Sequence, residues 1–225
     1  MSLAHTPLLV VMDVDSTLSN EEGIDELAWA AGPDIAAQVA AITTRAMAGE
    51  MDFASSLEQR IATLKGLPAS VIEHAKARVT ATPGARELVD AVHRAGGLVC
   101  AVSGGFHELV DGLLDSLGVD HWQANRLAVS EGVLTGAREG PLVDAVAKAR
   151  WLERWAEESG ALRTVAIGDG ANDLDMMAAA DVSIGFMPKA LVRQQATHCI
   201  DARDVSQAIG LLGLERSAPA VANEE

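Results

Sequence analysis

Three short apolar runs each end abruptly in polar, glycine-bearing residues, and this repeated punctuation constrains the fold more than any other feature of the chain. Leu8-Leu9-Val10-Val11-Met12 runs into Asp13-Val14-Asp15-Ser16-Thr17, Leu98 to Val102 into Ser103-Gly104-Gly105, and Thr164 to Ile167 into Gly168-Asp169-Gly170. Apolar side chains at consecutive positions need cover on both faces, the condition of a strand inside a parallel sheet. In an open parallel sheet the carboxyl ends of the strands form the crevice where ligands bind. The three polar loops, distant in sequence, are therefore expected to converge.

Between the first run and the second the texture is helical. Ile24 to Ala31 stops at Gly32-Pro33, Ile35 to Ala48 at Gly49, Asp52 to Lys65 at Gly66, and a fourth helix follows Pro68. Glycine just past a helix, with proline soon after, is the expected stop signal. Beyond Thr82-Pro83-Gly84 helices and strands alternate: helices over Ala85–Arg94, His107–Leu117, Val143–Glu158 and Asp173–Ala179, a strand at Val182–Ile184, and a hairpin across Arg126–Leu134. The pattern predicts an α/β protein with a parallel sheet, interrupted after its first strand by a helical insertion. The expected boundaries are 1–18 and 80–214 for the core, 19–79 for the insertion and 215–225 for a frayed tail.

Composition excludes several classes. Seventeen basic against thirty-two acidic residues leave a net charge of −15, which repels nucleic-acid phosphates and anionic membranes at long range. No run approaches the apolar length of a spanning helix. Met1 to Leu9 carries no basic leader, and Cys100 and Cys199 lie far apart without a C-x-x-C partner. A reducing cytoplasm is the expected location. With the first strand starting near Leu8, no N-terminal regulatory domain is expected; a monomer or a homodimer suits the chain equally.

The polar loops carry candidate chemistry, each with a plainer explanation beside it. Asp13 and Asp15, two apart in an extended segment, would face one side as nucleophile and general acid; alone, the pair reads first as an acidic turn. Ser103-Gly104-Gly105 before a helix N-terminus suits an anionic oxygen, or is an ordinary glycine turn. Asp169, with Asn172 and Asp173 behind it, extends the carboxylates toward a hard cation, though Asp and Asn also cap helices. Lys148 is by default a solvated helical lysine, unless a dianionic phosphate among aspartates requires a fixed cation. Arg60 falls on the apolar stripe Phe53, Leu57, Ile61, Leu64, either snorkelling outward or gripping a carboxylate with its fork. Glu22 either binds an amine or favours a helix start.

Asp13-Val14-Asp15-Ser16-Thr17-Leu18, Ser103-Gly104-Gly105-Phe106, Lys148 and Gly168-Asp169-Gly170-Ala171-Asn172-Asp173 resemble, in order and spacing, the four motifs of haloacid-dehalogenase-type phosphatases. Ala124-Asn125-Arg126-Leu127, Leu134-Thr135-Gly136 and Ala46-Met47 with Gly49 are similar to the phosphoserine phosphatase subfamily. The resemblance runs from about Leu8 to Leu212. It implies a Rossmann-like parallel-sheet core with a helical cap over 19–79. It also implies a Mg2+-dependent hydrolysis of O-phospho-L-serine, the last step of serine biosynthesis, through an aspartyl-phosphate. On that resemblance Asp13 is the nucleophile and Asp15 the acid/base; Asp13, the Asp15 carbonyl and Asp169 hold Mg2+, with Asp173 behind them. Ser103, Gly104, Lys148 and Asn172 bind phosphate, Glu22 the ammonium and Arg60 the carboxylate, while Met47 and Phe53 close the pocket. The subfamily's Lys-Pro after the fourth motif is inverted here to Pro188-Lys189, and Lys189 is given no role. A phosphotransferase of the same fold, passing phosphate to an alcohol such as homoserine, is the alternative.

Overall fold

In the computed structural model, residues 7–215 are described; the tail expected over 215–225 lies, from residue 216 on, outside the described residues. In chain order the elements are β1 (Leu9–Met12), α1 (Gly23–Ala31), α2 (Pro33–Met47), α3 (Phe53–Ala62), α4 (Ser70–Lys76), α5 (Ala85–Arg94), β2 (Leu98–Phe106) and α6 (His107–Leu117). They continue with β3 (His121–Ser130), β4 (Val133–Glu139), α7 (Ala145–Ser159), β5 (Thr164–Gly168), α8 (Leu174–Ala179), β6 (Val182–Phe186), α9 (Ala190–Gln195), β7 (His198–Ile200) and α10 (Gln207–Leu211). One seven-stranded sheet runs β4-β3-β2-β1-β5-β6-β7, parallel throughout except for β4, which pairs antiparallel with β3.

The unbroken apolar runs are explained by where β1 sits. It pairs with β2 on one side and β5 on the other, and its side chains alternate between two separate cores. Val10 and Met12 join the core on the face of α5, α6 and the helical insertion, while Leu9 and Val11 join the core under α7, α8 and α9. A period of two with apolar residues at every position gives this two-sided burial. Cys100 lies in the second core, where burial pushes its thiol up to about 12, so it is an unreactive packing residue.

The insertion leaves and rejoins the core through neighbouring chain segments. Ser19 bridges Ala81, the Asn20 N–H donates to the Thr80 carbonyl at 3.0 Å, and the Thr82 N–H donates to the Leu18 carbonyl at 2.9 Å. Its far end leans on the hairpin: the Gly66 and Ala69 N–H groups donate to the carbonyls of Leu134 and Gly132. The helices are thus suspended across the carboxyl edge of the sheet. Among the described residues no helix is long and apolar enough to cross a membrane.

Two strand ends differ from expectation. β2 does not stop at Val102 but continues through Ser103-Gly104-Gly105 to Phe106. There it advances from Val102 to Phe106 while its partner β3 advances only from Gln123 to Asn125. The surplus residues bulge toward the crevice, the usual way a sheet edge re-aims side chains beside a site. Asn125 secures the bulge: its Nδ2 donates to the Gly104 carbonyl and its Oδ1 accepts from the Val143 N–H, both at 2.9 Å. β3 also starts earlier than the hairpin signal indicated, because its polar first half pairs parallel with β2.

Candidate active site

The loops after β1 and β5, the bulge of β2 and the helices of the insertion enclose a cavity of about 130 Å³, whose lining includes Asp13, Asp15, Glu22, Phe53, Arg60 and Gly104. Its volume suits a ligand of few atoms, well below the several hundred Å³ of sites for larger molecules. Asp169, Asn172 and Lys189 complete the polar lining.

Beneath the lining, Lys148 is sealed at 0% exposure. Its Nζ lies 2.6 Å from Asp13 Oδ1 and 2.7 Å from Asp173 Oδ1, so the solvated reading of this lysine is wrong. Lys148, Leu152 and Trp155 are the buried residues of α7, spaced to fall on one helical stripe. Burial pulls the Lys148 ammonium down, but Asp13 and Asp173 outweigh it and hold the group protonated above its ordinary range. Asp13 moves upward too: burial and the negative charge of Asp173 push its carboxyl well above the usual range, against the pull of Lys148. The two shifts are compatible because several carboxylates compete for one ammonium. Asp173, also 0% exposed, spends its second oxygen on the N–H groups of Asp169 and Gly170, each at 3.1 Å.

Asp13 and Asp15 share the cavity, though not by strand alternation as the sequence suggested. The chain leaves the strand at Asp13 and coils through residues 14–18, with Ser16 in the left-handed region at φ 59°. Asp15 is held from both sides, its Oδ1 accepting from the Gly23 N–H and its Oδ2 from the Ser103 hydroxyl, both at 2.7 Å. Close approach there demands glycine: a Cβ on Gly105 would meet Asp15 Oδ2 at 2.6 Å, and one on Gly104 would meet the Phe53 ring at 2.8 Å.

The donor set suits a divalent metal. Asp13, Asp169 and Asp173 each place a carboxylate oxygen within 4.8 Å of the others, an all-oxygen arrangement that hard cations prefer. The Asp15 side chain is not in this cluster; Asp173 is, but its oxygens are already engaged. Asp13 Oδ2 and Asp169 Oδ1 are the oxygens left outside these contacts. Five carboxylates (Asp13, Asp15, Glu22, Asp169, Asp173) face three cations (Arg60, Lys148, Lys189), leaving a shortfall of positive charge before any anionic ligand arrives.

The wall comes from the insertion. Glu22 accepts a hydrogen bond from the Ser16 hydroxyl at 2.8 Å, and burial, then repulsion by Asp15, raises its carboxyl. Arg60 lines the cavity rather than snorkelling away from it; burial lowers its guanidinium, opposed by Asp25, Glu22 and Asp15. Phe53 also lines the inner cavity, whereas Met47 does not. It is 78% exposed and borders an outer cavity of about 450 Å³ that shares Phe53, Arg60, Asn172 and Lys189 with the inner one.

Lys189 is the residue sequence reasoning missed. Its Nζ lies 2.9 Å from Asp169 Oδ2, and although burial lowers its ammonium, Asp169 and Glu22 raise it overall. Lys189 follows β6, a fourth strand ending at the same edge of the sheet. The rule that singled out the other three loops applied to this one as well.

A family model for haloacid dehalogenase-like hydrolases matches residues 10–178. A phosphoserine phosphatase of Streptococcus thermophilus is 48% identical over 206 residues, spanning 91% of this chain and 95% of that one. A phosphoserine phosphatase of Streptomyces coelicolor is 46% identical over 92% of this chain, which spans 51% of that longer protein. A solved structure described as a phospho-aspartyl intermediate analogue of phosphoserine phosphatase superposes with a TM-score of 0.85 at 39% identity, over 92% of this chain and 99% of that one.

Proposed function

The chain belongs to the haloacid dehalogenase-like hydrolases, and from that membership we propose that it hydrolyses O-phospho-L-serine to L-serine and phosphate, the last step of serine biosynthesis. The observation that carries this reading is the pairing of two kinds of chemistry in one small cavity. Carboxylates and a buried lysine occupy the floor, and an acid and an arginine suited to an amino acid's ammonium and carboxylate occupy the wall.

In this reading Asp13 attacks phosphorus through Oδ2, the oxygen that Lys148 and the Val14 N–H leave free. The P–O bond to serine breaks as Asp15 passes a proton to the departing alkoxide, a poor leaving group without one. Water then attacks the aspartyl-phosphate, giving its proton to Asp15 and restoring both residues. The Gly104 backbone, Lys148 and Asn172 hold the phosphoryl oxygens, joined by the Ser103 hydroxyl once it turns from Asp15 Oδ2. Asp13, the Asp15 carbonyl and Asp169, supported by Asp173, are the residues that would hold Mg2+, which would supply positive charge to offset that of the nucleophile and the phosphate. Residues 19–79 act as a cap whose closure excludes water; Met47, on the outer cavity, belongs to that closing surface. We place the enzyme in the cytoplasm, consistent with its free cysteines.

The deciding experiment is phosphate release from L-phosphoserine, O-phosphoethanolamine and p-nitrophenyl phosphate, with and without Mg2+. We expect Mg2+-dependent release with strong preference for phosphoserine, abolished in Asp13→Asn. Release without that preference would keep the chemistry and reject the substrate. The outer cavity beside Asn172 and Lys189 gives an acceptor alcohol a place to stand, and phosphate transfer to homoserine in the same assay would favour the transferase instead.

A further inference from the structure

Lys189 has two ties to Asp169, and they differ in kind. Its main-chain N–H donates to the Asp169 carbonyl at 2.9 Å, and its ammonium meets Asp169 Oδ2 at the same distance. The first tie fixes a loop; the second is a charge contact made by a side chain that is 57% exposed to a carboxylate that is 9% exposed. The loop itself is firmly built. Met187 takes the left-handed region at φ 44°, its N–H donates to the Ile200 carbonyl at 2.8 Å, and Pro188 packs so tightly on Gly185 that a Cβ there would meet it at 2.9 Å.

Lys148 offers the contrast. It is enclosed between Asp13 and Asp173, and moving it would strand two buried carboxylates. Lys189 has one carboxylate partner, and both the cavity and solvent lie beside it. Of the lysines at the site, it is the one that can exchange.

We propose that Lys189 is a displaceable counter-ion, holding the Asp169 carboxylate when no metal is bound and competing with a divalent cation for it. The inference rests on the reading of Asp169 as a metal-holding residue. The exchange forms and breaks no covalent bond and moves no proton: the ammonium sits on Oδ2, and a divalent cation on the same carboxylate repels it and weakens that contact. Its effect is that Asp169, close to Asp13 and Asp173, keeps a compensating charge throughout the cycle, at some expense in metal affinity.

The test is a calorimetric Mg2+ titration of metal-free, substrate-free protein, comparing wild type with Lys189→Met, Lys189→Gln and Lys189→Arg. A partly exposed ion pair of this kind is equivalent to an affinity change of about two- to fivefold. The Met and Gln variants are expected to bind Mg2+ more tightly by that factor, and the Arg variant close to wild type. Unchanged or weaker binding in Met and Gln would overturn the proposal. No substrate enters this measurement, so failure of the phosphoserine preference would leave its result standing. Absence of Mg2+ binding in all four proteins would overturn both readings.

Discussion

On the floor of the cavity Lys148 and Asp173 are cut off from solvent, and Lys148 is locked to both Asp173 and Asp13; on its wall Glu22 and Arg60 reach in from the insertion and keep part of their surface wet. The floor hangs from the ends of two central strands and the buried face of α7. The wall hangs from helices joined to the core through neighbouring chain segments. Burial makes each floor charge depend on its partners, because an uncompensated charge there has no water to fall back on. Loss of a wall charge is expected to damage the fold less and, on the proposed function, ligand recognition more.

That contrast is broken most directly by Lys148→Met. Deleting one partner of a buried ionic cluster costs about 3–5 kcal/mol, because Asp13 and Asp173 are left facing each other. Urea unfolding at neutral pH, with metal chelated, should show a loss of that size alongside lost turnover. Arg60→Ala, measured identically, should lose much less. Similar losses for the two variants would mean that the insertion is as tightly integrated as the floor.

Arg60→Ala is expected to act on substrate choice. Loss of a charge-assisted contact to a carboxylate is worth about 1.5–3 kcal/mol, roughly a ten- to hundredfold fall in kcat/KM for phosphoserine. O-phosphoethanolamine has no carboxylate and should be used almost as well as before. A matching fall on both substrates would assign Arg60 to holding the wall in place rather than to reading the ligand.

Legibility in the sequence follows the same division. The floor was readable where the signal is local: an apolar run broken by Asp13, Ser103 or Asp169 marks a strand end at the crevice wherever the chain goes next. The burial of Lys148 was readable too, since Leu152 and Trp155 repeat its stripe, yet a single lysine on a helix reads first as solvated. The relation of Asp13 to Asp15 was not readable, because alternation lasts only as long as the strand and this strand ends at Met12. The bulge that carries Gly104 and Gly105 toward Asp15 depends on a contact between Ser103 and Asp15, 88 residues apart in the chain, while Ser16 in the left-handed region is tied to Glu21 and Glu22 close by. Lys189 is hidden for another reason: its order with Pro188 is the reverse of the subfamily's Lys-Pro, which masks the plainer fact that a lysine follows a strand at the carboxyl edge.

The smallest expected effect concerns Glu22 and is read as a pH dependence. Its carboxyl is raised by burial and by Asp15, with the Ser16 hydroxyl pulling the other way. An ammonium is held by the carboxylate form, which is present above the raised pKa and lost as pH falls through it. The acid limb for phosphoserine should therefore begin at a higher pH than an ordinary glutamate would give. 3-Phosphonooxypropanoate keeps the carboxylate and the phosphate at the spacing of phosphoserine but has no amine, so ionisation of the phosphate and of the floor affects both substrates and largely cancels in their ratio. The ratio of kcat/KM, phosphoserine over 3-phosphonooxypropanoate, should fall a few-fold toward acid pH in the wild type and stay flat in Glu22→Gln. A flat ratio in the wild type would leave Glu22 as the partner of Ser16 alone. Recognition by the wall would then rest on Arg60, and the insertion would distinguish ligands by their carboxylate and not by their amine.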